Sequence, residues 1–172
     1  MSGFYTEALS KEHERDQFAC GVPALDEYLR FRASQDVRRY AAAVFVMVPV
    51  EEPRRIAGFY TLSAFSVRLT SVPDSVVKQL PRYPALPAIL IGRLARSKDF
   101  PGLGALLLAD AIARCVRQSD AVGASLIVVE AKNKAAKAFY ESHGFLRTSD
   151  PMRLILSMKT AAQTANDSSS VT

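Results

Sequence analysis

Apolar residues fall into blocks of two periods along the chain. Short runs rich in β-branched residues predict strands, and stripes three or four apart predict helices. The first stripe, in "VPALDEYLRFRASQDVRRY" (22–40), puts Leu25, Tyr28, Leu29 and Phe31 or Arg32 on one helical face, with room for two helices joined near Ala33 and Ser34. "AAAVFVMVPV" (41–50) and "IAGFYTLSAFSVRLT" (56–70) predict two strands. With "EEPRR" turning between them they form a hairpin, and Gly58 permits a bulge or a close approach. A proline-rich connection (71–88) holds a short helix from Asp74 to Leu80, with Asp74 or Ser71 near its N-terminus, before Pro81, Pro84 and Pro87 keep the chain extended. "AILIGRLARS" (88–97) predicts a third strand interrupted by Gly92, and "DFPGLGALLLADAIARCVRQSDAVG" (99–123) a glycine turn feeding an amphipathic helix. "ASLIVVEA" (124–131) predicts another strand, followed by a helix in "NKAAKAFYESHGF" (133–145) with Ala135, Ala138 and Phe139 on its apolar face and Gly144 at its end. The last predicted strand is "RLILSMKT" (153–160). The small, polar segment 161–172 is expected to be disordered, leaving a single domain over 1–160. Strands alternating with helices predict a mixed α/β sheet, with 88–130 as a right-handed parallel crossover.

Composition narrows the class. In 172 residues, 49% are hydrophobic, enough for one domain with a full core. No apolar run reaches the roughly 18 residues of a membrane span. The opening "MSGFYTEALSKEHERD" lacks a basic patch followed by an apolar block, so no signal peptide is expected. Cys20 and Cys115, with only His13 and His143 beside them, do not make a metal-ligand pattern. They read as buried free thiols in a reducing cytoplasm. The net charge of +5 favours an anionic partner, either nucleic acid or a phosphorylated cofactor.

Three constellations carry candidate chemistry. In "RLARSKDFPGLGALLLADA" (93–111) a strand runs into Gly102-x-Gly104 and straight into a helix. Glycines let the backbone approach a ligand, and the first helical N–H groups point at it, which suits a pyrophosphate or a plain turn. The spacing is neither the six-residue dinucleotide fingerprint nor a Gly-Lys-Ser/Thr loop, which disfavours NTP hydrolysis. Asn133 lies between a strand and a helix, where it either caps the helix or bonds an amide-bearing ligand. Tyr140 either packs at the rim or gives a proton to a leaving group, since an ordinary phenol near pKa 10 can serve a thiolate. Arg30, Arg32, Arg38 and Arg39 on the early helices, with Arg93, Arg96 and Lys98 beside the glycine turn, form solvated faces or a polyanion surface.

Strand, glycine turn, helix, strand, then "N-x-x-A-x-x-F-Y-x-x-x-G-F" resembles the GNAT N-acetyltransferase superfamily. "F-x-C-G…L-D-x-Y-L", "YTLSA" and "GRLA" resemble, over about residues 10 to 158, the toxin branch of type II toxin–antitoxin systems. The resemblance implies a GNAT fold: a mostly antiparallel central sheet with a splayed parallel pair and helices on both faces. It implies acetyl-CoA as donor, held by Leu94, Ala95, Arg96, Gly102, Leu103, Gly104, Ala105, Asn133 and Phe139, with Tyr140 catalytic and no metal. It implies aminoacyl-tRNA as substrate, with Arg93 near the acceptor end and Arg38 and Arg39 further out. It implies a ribbon-helix-helix antitoxin, operator DNA reached only through the antitoxin complex, a homodimer and a cytoplasmic, membrane-free setting. Glu130 is a candidate proton relay. Family members commonly carry Gln or Arg three residues before the first glycine, in a loop about two residues longer; here Asp99 holds that position. The alternatives are a GNAT enzyme acting on a small amine or a protein N-terminus, and a catalytically weak module that holds an antitoxin and DNA.

Overall fold

A computed structural model describes residues 3–169. The elements run β1 (Phe4–Ala8), α1 (Pro23–Glu27), a π-helical turn (Tyr28–Arg32), α2 (Ala33–Arg38), β2 (Ala43–Pro49), β3 (Gly58–Arg68), a 3-10 turn (Leu69–Ser71), α3 (Asp74–Val77), β4 (Ala85–Arg96), α4 (Gly104–Ser119), β5 (Leu126–Glu130), α5 (Lys134–Ser142), β6 (Leu146–Arg147), β7 (Arg153–Ser157) and α6 (Met158–Ser169). The strands bond in the order β1-β2-β3-β4-β5-β7-β6. The expected hairpin is present, with Val44 opposite Thr61 and Val46 opposite Phe59. So is the parallel pair, β4 with β5, from Ala88↔Leu126 to Ile91↔Val129. The architecture is a mixed α/β sheet with helices, as the patterning predicted, and mostly antiparallel, as the resemblance implied.

The chain divides into two compact units, each built from separated segments: residues up to Ser63 with Gly92–Ala111, and Ala64–Ile91 with the residues from Ile112 onward. The core of the first unit centres on Phe59, fully buried, with Phe18 edge-on at 5.5 Å and Tyr28 stacked at 6.3 Å. Leu29, Val46 and Val48 complete it. A half-buried carboxylate holds the first part of α4 within the same unit. Asp110 accepts hydrogen bonds from the Tyr60 hydroxyl at 2.6 Å and from Thr6 Oγ1 at 2.9 Å. The core of the second unit is aliphatic, with Leu86, Leu126, Val128 and Ile155 at its centre.

Several expectations are corrected. The joint expected near Ala33 and Ser34 is present, since α2 starts at Ala33 after Arg32 departs from helical geometry at φ −120° and ψ −29°; what was not expected is that the turn before it, Tyr28–Arg32, is π-helical. That wider turn shifts the buried face, so Tyr28, Leu29 and Ala33 are inside while Phe31 stands 73% exposed. β4 is not interrupted at Gly92; it runs unbroken through it. The short helix after β3 ends at Val77 rather than Leu80; Asp74 does stand at its start, in the first turn after the N-cap Pro73, while Ser71 Oγ bonds back to Arg68 O at 2.8 Å. β7 stops at Ser157 rather than 160.

Residues 161–169, expected to be disordered, belong to α6; 170–172 lie outside the described residues. Ser157 starts this helix, its Oγ accepting the Thr160 N–H at 3.1 Å. Ala161, Ala162 and Ala165 favour it intrinsically, and Ala161 is buried. β1 and the two-residue β6 were not anticipated.

Candidate functional site: a glycine turn, a buried tyrosine and supported arginines

In the first unit, β4 leads into the glycine turn along an anchored path. Ser97 N–H donates to Ala57 O and Lys98 N–H to Ala19 O, both at 2.8 Å. Gly58 lets β3 come close, since a Cβ there would lie 3.1 Å from the Ala95 carbonyl oxygen and 3.1 Å from Leu107 Cδ2. The turn reverses at Gly102, whose φ of +84° suits glycine. Leu103 is buried and pins the turn, while Gly102 and Ala105 stay exposed on either side. A Cβ on Gly102 would meet nothing within 4 Å, so open space lies over its backbone. The amides opening α4 at Gly104, Ala105 and Leu106 come before any helical carbonyl they could bond. An exposed turn with first-turn amides and the positive end of a 16-residue helix dipole is chemically fit to hold a diphosphate.

Asp99, the carboxylate three residues before Gly102, is paired. Arg55 Nη2 lies 3.1 Å from its Oδ2, and the Arg55 guanidinium rests over the Phe100 ring at 4.8 Å. Within β4, Ala95 is buried, Leu94 half-buried and Arg96 exposed. Arg96 Nη1 donates to Ser97 O at 3.3 Å.

Arg93 is held from two sides. Its backbone N–H donates to Thr61 Oγ1 at 3.0 Å, and its guanidinium lies 3.6 Å from the centre of the Tyr28 ring. The Tyr28 hydroxyl donates to Asp36 Oδ2 at 2.8 Å. Burial first, and then this bond, push the Tyr28 phenol up to about 12. Sequence reasoning found Arg93 but not its support, because no periodicity signals a π turn that aims a tyrosine ring at a distant strand. Arg38 and Arg39 are exposed at the end of α2.

In the second unit, α5 begins at Asn133, whose Oδ1 accepts the Ala136 N–H at 2.8 Å. The capping reading therefore holds for its oxygen, and the amide nitrogen remains a donor. Ala135 and Ala138 are exposed, against expectation, and Phe139 is half-buried, with its ring 4.6 Å from His143. The buried face of α5 is carried instead by Tyr140, 7% exposed, which meets the Phe145 ring at 5.7 Å. Burial pushes its phenol up to about 12. Gly144, with φ +93°, ends the helix as expected. Phe145 N–H then returns to Tyr140 O at 3.2 Å. Glu130, the candidate relay, pairs with Arg153 Nη2 at 2.8 Å. Among the described residues no group of His, Cys, Asp and Glu could hold a metal ion, and no helix is long and apolar enough to cross a membrane.

No family model matches the chain. The chain is 36% identical over 171 residues to the tRNA-acetylating toxin of Mycobacterium tuberculosis (strain ATCC 25618 / H37Rv), covering 97% of this chain and all of that protein. Among solved structures it is similar to AtaT complexed with acetyl-methionyl-tRNAfMet (26% identity, TM-score 0.86, 95% of this chain and 99% of that one). It is also similar to AtaTR bound with AcCoA (26% identity, TM-score 0.81, 94% and 98%). The fold and the glycine turn define the class as an N-acetyltransferase of the GNAT type. Within that class, the chain belongs to the family of the tRNA-acetylating toxins.

Proposed function

We propose that this chain moves the acetyl group of acetyl-CoA onto the α-amino group of the amino acid on a charged tRNA, which removes that tRNA from translation. The observation that carries this reading is the 36% identity, over nearly the whole of both chains, to a tRNA-acetylating toxin. When bound, acetyl-CoA supplies the thioester carbon that a free amine attacks.

Each group of residues has a role. The amides of Gly102 to Ala105 hold the diphosphate, and Asp99 stays clear of it through Arg55. A backbone N–H of the Leu94–Arg96 segment donates to the reacting carbonyl oxygen. The Asn133 amide nitrogen and the Phe139 ring serve the pantetheine arm. Arg93, stiffened by Tyr28, holds phosphate at the acceptor end, with Arg38 and Arg39 further out.

Tyr140 donates its hydroxyl proton to the departing sulfur. As the C–S bond breaks and the N–C bond forms, the amine gives up a proton to water and the phenolate recovers one. Burial holds the phenol above its ordinary value, and so further above a thiol near 8.5, which makes proton transfer to the sulfur uphill by itself. Transfer is therefore driven by the simultaneous loss of the amine proton. An aminoacyl ester amine is substantially neutral near pH 7–8, so no dedicated base is required, and Glu130 stays bound to Arg153.

The same reading assigns a ribbon-helix-helix antitoxin as neutralising partner, operator DNA through that complex, a homodimer and the cytoplasm. The test that separates charged tRNA from a small amine is salt. Three arginine–phosphate contacts give a slope of log affinity against log salt of about −2 to −3. A transfer rate that ignores salt would identify a small amine as substrate instead.

A further inference from the structure

The end of α2 has a shape that glycine usually serves. Arg39 N–H bonds Gln35 O at 3.0 Å, Tyr40 N–H reaches Val37 O at 3.2 Å, and Ala41 N–H returns to Asp36 O at 2.9 Å. The residue that turns left-handed to close this motif is Tyr40, with φ +58°. It is the one non-glycine residue with positive φ among those described. A residue bearing a Cβ is strained there. Tyr40 is also 96% exposed, so packing of its ring within the chain does not offset the strain.

The surroundings are basic and bare. Residues 37–41 are all exposed and include Arg38 and Arg39 but no acid. The closest acid along the sequence, Asp36, already accepts the Tyr28 hydroxyl. A tyrosine ring standing in water beside two arginines offers a face for stacking and two cations for flanking phosphates. A paired stem presents no open base face, so the matching partner is an unpaired nucleotide.

We propose that Tyr40 is a stacking platform for an unpaired base of the substrate tRNA, with Arg38 and Arg39 holding the adjoining phosphates. This rests on the tRNA-acetylating reading above. It adds a recognition element that the basic residues alone do not provide.

The strain makes the test clean. In the full-length protein, Tyr40→Gly removes both the ring and the strained backbone, so its Tm is expected to equal or exceed that of the unmodified chain. Tyr40→Trp keeps a stacking face. Steady-state acetyl transfer should show KM for aminoacyl-tRNA raised about tenfold by Tyr40→Gly and within about twofold for Tyr40→Trp. KM for acetyl-CoA should hold in both. Direct binding of the same tRNA by filter retention should follow KM. An unaltered KM and tRNA affinity in a folded Tyr40→Gly protein would overturn the proposal while leaving the reaction intact. So would a loss of antitoxin binding with tRNA affinity unchanged, which would mark the ring as a protein contact. Tyr40-dependent tRNA binding by a protein that transfers no acetyl group would support the platform and sink the reaction instead.

Discussion

Gly58→Ala perturbs the candidate cofactor strand from behind. The new methyl would stand 3.1 Å from the Ala95 carbonyl oxygen and 3.1 and 3.5 Å from the two Leu107 methyls. Ordinary contact begins near 3.4 Å, so each neighbour must retreat by a few tenths of an ångström. The Leu107 side chain is fully buried and the other obstacle is backbone, so neither has an easy path. Overpacking of this kind costs about 1–3 kcal/mol. Alanine recovers about 0.5–1 kcal/mol through the lower entropy of its unfolded chain, because Gly58 does not need a left-handed backbone. At the middle of those ranges the net expectation is a loss of about 1 kcal/mol, or a Tm lower by about 2–4 °C for a chain of this size. The displaced carbonyl belongs to the Leu94–Arg96 segment, so KM for acetyl-CoA should rise while KM for aminoacyl-tRNA changes less. Thermal denaturation followed by circular dichroism and a two-substrate kinetic analysis read both effects. Adding Leu107→Val should recover part of the Tm through direct coupling. An unchanged or raised Tm with unchanged KM for acetyl-CoA would refute the reasoning.

Three further outcomes are expected. Gly102→Ala meets no atoms but forces a Cβ into a left-handed turn, so it should lower stability by about 1 kcal/mol and weaken acetyl-CoA binding in calorimetry. Tyr140 has a folded pKa raised to about 12 above an ordinary value near 10, so its contribution is whole below pH 10 and lost as pH rises through 12; because Tyr28 and Cys115 are raised into the same window, the readout is the stability difference between the unmodified chain and Tyr140→Phe, which should fall by about 1.4 kcal/mol per pH unit across it. Cys115 is fully buried with its thiol pushed up to about 12, while Cys20 is half-buried, so a thiol reagent should label Cys20 in the native protein and reach Cys115 only in denaturant.

The strands from β2 to β5 and the helix α4 were legible because their signal is local. "AAAVFVMV" and "LIVV" are β-branched runs of strand length, and the stripe of α4 recurs at helical spacing. β1 was not, because Phe4–Ala8 contains a glutamate and has no clean alternation in burial; its partner β2 supplies the register. α6 was hidden by polar composition, and its start depends on one serine hydroxyl. At the candidate site, the glycine turn and Tyr140 could be picked out as residue types. The face that α5 buries could not, since Phe139 and Tyr140 differ by one step and only the packing of Phe145 selects Tyr140. The pairing of Asp99 with Arg55 joins residues 44 positions apart, which no local pattern reports.

The central claim is acetyl transfer to charged tRNA through Tyr140. Tyr140→Phe keeps the ring contacts with Phe139 and Phe145 and removes only the hydroxyl, so stability should move by no more than about 0.5 kcal/mol. The measurement is transfer from labelled acetyl-CoA to a charged-tRNA pool, with deacylated tRNA as control. The account predicts label on charged tRNA alone and a rate about 10²–10⁴ lower for Tyr140→Phe at unchanged acetyl-CoA affinity. Absence of label on charged tRNA despite acetyl-CoA binding, or full activity in the Phe variant, would contradict it.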